Sequence, residues 1–164
     1  MRQVHGSQII RVDAAGPAGE ADALATGHPG LPLAVRTADC VPLVIHSDSA
    51  VAVVHAGWRG LAAGVVERTV EFLSAEGDRA NRAAIGPAIG PCCYEVGSEV
   101  VTALGGRSAT TSWGTTSVDL WSETERRLPG LAVWRADLCT RCEAPFHSYR
   151  DTATDLRQTT VGWR

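Results

Sequence analysis

The chain has 164 residues, 45% of them hydrophobic and 20% charged, a composition that fits one globular domain with enough length for a proper core. A net charge of -3 with scattered basic residues leaves no electrostatic footprint for nucleic acid, and no apolar run approaches the roughly 20 residues that span a membrane. All 15 basic residues are Arg, so Schiff-base and P-loop lysine chemistry are excluded, and reactivity must come from Cys, His, Arg and carboxylates.

The first residues, "MRQVHGSQIIRVDAAGPAGEA", lack a charged segment followed by an apolar run, so a cytoplasmic location is expected. The five cysteines are an odd number for a disulfide framework and read as reduced thiols, some of them candidate metal ligands.

In chain order, residues 8 to 12 and 33 to 36 read as short strands, and "PLVIH" (42 to 46) and "VAVVH" (51 to 55) as a strand pair separated by "SDSA". "LAAGVVERTVEFLSAEG" (61 to 77) reads as one helix closed by Gly77, followed by a strand around "RAAIG" (82 to 86). A Gly/Pro-punctuated stretch then leads to a helix from about Ser98 to Leu104, a loop over 105 to 117, a helix over 119 to 128 with Asp119 as N-cap, and a strand in "LAVWRADL" (131 to 138). Strands and helices mixed without strict alternation predict an α+β fold in a single domain, residues 1 to 164.

The hairpin places chemistry. If Ser47 to Ala50 form the turn, His46 faces Val51 and the pairing runs outward until Pro42 faces His55, with Cys40 one diagonal step away on the same face. Diagonal neighbours are about 7 to 8 Å apart at the backbone, within reach of one ion shared by both side chains. His46 shares the face but lies roughly 13 Å along at 3.3 Å per residue, and is not expected to join them. "AGWRG" follows His55 and leads into the helix, so the amides near Gly57 and Gly60 and the fork of Arg59 suit an anion such as phosphate, with Arg36 as a further candidate. Spacing alone leaves open a metal pair, a buried thiol beside a hydrogen-bonded core histidine, and a Cys40/His55 nucleophile and base. Asp39 reads either as a carboxylate for proton transfer or as a turn cap.

Several motifs in order resemble one family: "QVHG" (3 to 6), "DALAT" (22 to 26), "RTADCVPLVI" (36 to 45), "HAGWRG" (55 to 60), "IGPAIGPCCYEVG" (85 to 97), "DLW" (119 to 121), "CT" (139 to 140) and "SYR" (148 to 150). They are similar to the YfiH family of laccase-domain proteins, whose members have been called multicopper polyphenol oxidases, purine nucleoside phosphorylases and peptidoglycan editing factors. The resemblance implies a four-layer α/β/β/α sandwich with mixed sheets and a metal site from His5, Cys40 and His55. Three protein ligands with an open position is the arrangement of a catalytic zinc site. It also implies phosphorolysis of adenosine, inosine, guanosine or methylthioadenosine, and deamination of adenosine, with nucleoside and phosphate as partners. Cys40, His55 and Asp39 would carry the chemistry, and Arg59, Gly57, Gly60 and Arg36 would hold substrate and phosphate.

Five histidines without a His-x-His pair do not supply a multicopper cluster, so copper-dependent polyphenol oxidation is the alternative reading, beside a non-catalytic metal protein in cell-wall quality control. "CTRC" (139 to 142) lacks a second standard pair, because adjacent Cys92 and Cys93 have the wrong spacing for a knuckle, and Cys139 is expected to be a packed thiol. Asp22 is expected to be structural. Family members carry a further stretch before "QVHG", and read "GRQ" where this chain has Leu156, Arg157 and Gln158. A sandwich without that stretch is expected to cover its open edge by forming a homo-oligomer.

Overall fold

The computed structural model describes residues 1–164. Its centre is the hairpin of β4 (Val41–Ser47) and β5 (Val51–Ala56), whose residues are mostly aliphatic on both faces and almost wholly buried. The register is the expected one, His46 opposite Val51 and Pro42 opposite His55, closed where the Ser47 amide donates to the Ala50 carbonyl at 3.0 Å.

Around the hairpin lie β1 (Ile9–Arg11), β2 (Ala23–Thr26), β6 (Ala80–Ile85) and β9 (Ala132–Arg135), giving the order β1-β2-β5-β4-β6-β9. The outer pairs β1–β2 and β6–β9 are parallel and the inner ones antiparallel, so the sheet is mixed. One face carries Ala23, Ala25, Leu43, Ile45, Ala52 and Val54 against the helices, and the other carries Leu24, Val51 and Val53 against Leu33 and Val35. Those last two belong to β3 (Leu33–Thr37), which pairs antiparallel with β10 (Gln158–Gly162) as a second sheet layered on the first. Helices cover one face of the mixed sheet and the antiparallel β3–β10 pair covers the other, an α+β sandwich as the sequence predicts.

Three details depart from the expected elements. The helix over 61 to 77 is two helices, α1 (Trp58–Ala62) and α2 (Val65–Ala75), because Gly64 at φ 79 turns the chain left-handed between them. α1 starts three residues earlier than expected, with Gly57 as its N-cap, so Arg59 and Gly60 of the candidate anion loop lie in its first turn. Strands β2 and β10 were not expected, since "ALAT" and "QTTVG" are short and lack clean alternation between apolar and polar residues. Within the expected loop, β7 (Ala109–Thr110) and β8 (Thr116–Ser117) make a small ribbon.

The remaining helices are α3 (Ser98–Ala103), α4 (Leu120–Glu125) and α5 (Tyr149–Thr152). α4 is capped as expected, with Asp119 accepting from the Ser122 amide at 3.0 Å. No helix is long and apolar enough to cross a membrane.

β10 approaches the main sheet so closely that a methyl group at Gly162 would stand 3.0 Å from both Val44 Cγ1 and Val53 Cγ1. Valine methyls on stiff side chains cannot swing aside. Gly162→Ala is expected to destabilise the fold by about 1–3 kcal/mol in denaturant unfolding. A variant as stable as the parent would show that the two sheets are not tightly seated.

Candidate metal centre

The site forms where the open end of the β4–β5 hairpin meets the N-terminal turn. Cys40 ends the loop before β4, and His55 lies on β5 with its backbone amide bonded to the Asp22 carbonyl at 2.7 Å. His5 arrives from the first turn in a left-handed conformation, φ 59, and its ring meets that of His55 edge-on at 4.7 Å between centroids. One donor atom from each of His5, Cys40 and His55 lies within 4.8 Å of the other two. Two imidazoles and a thiol converging from three segments are the donor set of a soft divalent cation.

Asp22 positions two of these three groups. Its carboxylate is fully buried and accepts four donors: His55 Nδ1 at 2.8 Å and the His5 amide at 3.0 Å on one oxygen, the Gly6 amide at 2.7 Å and the Val4 amide at 3.2 Å on the other. The first bond fixes which His55 nitrogen turns to the site, and the amide bonds shape the turn that presents His5. Burial disfavours the Asp22 charge, but His55, Gly6 and Val4 outweigh it and hold the carboxyl below the usual carboxylate range. The expectation that Asp22 is structural is thus too weak, because it orients the cluster directly. The signal present in the sequence was the place of Asp22 at the head of the "DALAT" motif.

The electrostatics join Cys40 to His55. Burial opposes the Cys40 thiolate, but His5 and His55 beside it bring its pKa down to about 7. Burial likewise opposes a charged His55, but Asp22 and Cys40 raise its pKa to about 9. A metal must displace protons from both groups below pH 7, mainly from His55 between 7 and 9, and from neither above 9. Metal affinity is therefore expected to climb with pH from 6 to 9 and then level off, as a pH series of metal titrations would record. A flat profile across that window would mean that these two groups do not bind the metal.

The other candidates separate. Gly57 is needed for close approach: a Cβ there would stand 2.9 Å from Cys40 Sγ and 3.1 Å from His5 Cδ2. Gly60 is buried with its Cβ direction 3.1 Å from the Gly6 carbonyl oxygen, so a side chain there would push the two site loops apart. Arg59 is exposed, stacks over Trp58 at 4.4 Å, and lines an open cleft of about 650 Å³ with Glu95, Glu99, Trp113, Arg141 and Arg150. Arg36 does not join it. That residue lies in a different depression with Met1, Gln3, Asp155 and Arg157, and its backbone exchanges two hydrogen bonds with the Gln3 side chain, two residues before His5.

Asp39 also departs from the proton-transfer reading. Its carboxylate is buried and both oxygens are engaged at 2.7 Å, one by Thr140 Oγ1 and one by the Arg150 amide, while its carbonyl accepts from the Ile89 amide at 2.9 Å. With φ at 84 it is a strained tether that ties three distant segments to the residue before Cys40.

Sequence reasoning missed most of the cleft, because Glu95, Trp113 and Arg141 come from loops, and Arg150 from α5, far apart in the chain. His28 instead pairs with Asp13 at 3.4 Å, His46 sits opposite Arg82 at the far end of β4, and the His147 amide bonds Gln158. No second histidine pair assembles, so the donor set suits one ion and not a copper cluster. A further apolar cavity, between β4, β6 and β9, contains Val44, Val133 and Trp134 but only one histidine, His46, and no acid.

The mixed-sheet sandwich is shared with solved structures of the YfiH type. A family model described as multi-copper polyphenol oxidoreductase laccase matches residues 1–163, and the chain belongs to that family. A Xylella fastidiosa relative named purine nucleoside phosphorylase is 36% identical, covering 99% of this chain and 70% of its own. Among solved structures, YlmD from Geobacillus stearothermophilus superposes with a TM-score of 0.87 at 33% identity, over 99% of this chain and 72% of its own. The Bacillus licheniformis hypothetical protein YfiH gives 0.86 at 31%, over 99% and 72%.

Loss of the Asp22 charge would release both the His55 ring and the His5 turn. Asp22→Asn is expected to weaken metal binding by roughly 10–100-fold in a competition titration against a chelator. Unchanged affinity would show that the histidines are held by something else.

Proposed function

We propose that this chain is a zinc-dependent purine nucleoside phosphorylase that cleaves adenosine, inosine, guanosine or methylthioadenosine with phosphate, and that it also deaminates adenosine. The observation that carries this reading is the convergence of His5, Cys40 and His55, backed by Asp22, in a chain whose neighbouring cleft is lined by arginine and tryptophan. The relatives' names, purine nucleoside phosphorylase, support the substrate class.

Zinc held by these three residues would supply Lewis acidity and lower the pKa of a bound water. The chain's own groups supply binding. Arg59, Arg141 and Arg150 present planar forks suited to phosphate oxygens, and the rings of Trp58 and Trp113 offer faces for a purine. Glu95 and Glu99 bring acceptors for ribose hydroxyls or exocyclic amino groups, with Glu95 already accepting from Trp113 Nε1 at 2.8 Å. In phosphorolysis a phosphate oxygen bonds to ribose C1′ as the C1′–N9 bond breaks, and the purine leaves with a proton on its ring nitrogen. The single cysteine-histidine cluster gives no support to the copper oxidase alternative.

Metal-replete protein incubated with adenosine is the test, with and without phosphate, following adenine, ribose 1-phosphate, inosine and hypoxanthine. Adenine and ribose 1-phosphate should form only with phosphate, and inosine in either condition. Arg59→Lys keeps the charge but loses the fork, so the phosphate KM should rise roughly tenfold with little change in folding stability. No product from metal-replete protein would leave a non-catalytic metal protein, and an unchanged KM would move phosphate away from Arg59.

A further inference from the structure

Outside the candidate metal centre, the fold assembles a second group of ligating side chains that has no role in the reading above. The adjacent thiols of Cys92 and Cys93 and the CxxC thiols of Cys139 and Cys142 all lie within 4.8 Å of one another. They come from two irregular segments, residues 86 to 97 and 138 to 143, that are nearly fifty positions apart in the chain.

We propose that Cys92, Cys93, Cys139 and Cys142 form a structural zinc site that clamps these two loops together. The sulfur spacing supports it. Cys92 Sγ and Cys93 Sγ stand 3.7 and 3.4 Å from Cys142 Sγ. A tetrahedral ion with bonds of about 2.3 Å sets its sulfurs about 3.8 Å apart, whereas a disulfide needs about 2.0 Å.

The backbone is arranged for thiolates as well. The Gly90 amide donates to Cys139 Sγ at 3.2 Å. Each pair sits on a closed turn, with the Cys142 amide on the Cys139 carbonyl at 3.1 Å and the Cys93 amide on the Gly90 carbonyl at 3.0 Å. Four sulfurs with no open position make a closed, structural centre. Cys142 is exposed and Cys92 half-buried, so the ion can enter from solvent.

The clamp would brace what both loops carry. Ile89 and Thr140, one from each loop, hold Asp39 beside Cys40, and Cys93 and Arg141 line the arginine cleft. Removing the ion should therefore loosen the cleft wall and the Asp39 tether, although none of the four thiols is a ligand of the candidate metal centre.

Elemental analysis of protein purified from zinc-supplemented cells, without chelator, tests this together with cobalt replacement. The parent should carry two zinc ions per chain, Cys40→Ala one and Cys142→Ser one, and the double variant none. In the Cys40→Ala background, cobalt should give strong sulfur-to-metal charge-transfer absorption that Cys142→Ser abolishes. Circular dichroism confirms that each variant is folded, and Cys92→Ser serves if Cys142→Ser is not. A Cys40→Ala protein that is folded yet holds no zinc and gives no such absorption would overturn the proposal. So would peptide mapping that finds Cys142 joined to Cys92 or Cys93 by a disulfide.

Discussion

One buried carboxylate organises the candidate centre. Asp22 has no access to water, and a lone charge in that position would cost several kcal/mol, yet it accepts hydrogen bonds from one imidazole and three backbone amides. Those donors are what make the charge tolerable, and they are also what build the site. The amides of Val4, His5 and Gly6 fold the N-terminal turn over the sheet, while His55 is held from the side opposite the cluster. Desolvation and donor satisfaction thus act on the same atoms, so the geometry of the centre follows from the requirement that a buried carboxylate be satisfied.

Close approach is the second constraint. Three segments must bring their backbones together at the cluster, and side chains on Gly57 or Gly60 would block them at about 3 Å from Cys40 or from the Gly6 carbonyl. His5 and Asp39 adopt positive φ there, conformations that cost of order 1 kcal/mol each and persist because surrounding hydrogen bonds over-determine them. The rigid six-stranded sheet carries this strain, with most of β4 and all of β5 buried.

The laccase name of the family is not matched by the placement of the histidines in this chain. Copper clusters need many imidazoles on one side of a fold, and three of the five histidines here lie away from the cluster, on Asp13, opposite Arg82 and near Gln158. The surface beside the cluster offers arginines and indoles instead.

The sequence by itself determined the local part of this protein. The hairpin register followed from one turn and strict alternation, and it put Cys40 and His55 on one face because residues two apart on a strand share a side. Asp119 as a cap and Gly77 as a stop were legible for the same reason, since each acts within one helical turn. His5 entered only through motif resemblance, because nothing local ties a residue in the first turn to a strand fifty positions on. Only the tertiary structure decided which distant loops meet. It sent Arg36 to a different depression, turned Asp39 from a candidate proton carrier into a tether, and drew "CC" and "CTRC" together although their spacing matches no single knuckle. Periodicity records which face a residue occupies, whereas loop-to-loop contacts depend on the path of the chain across the sheet, which no short window of residues contains.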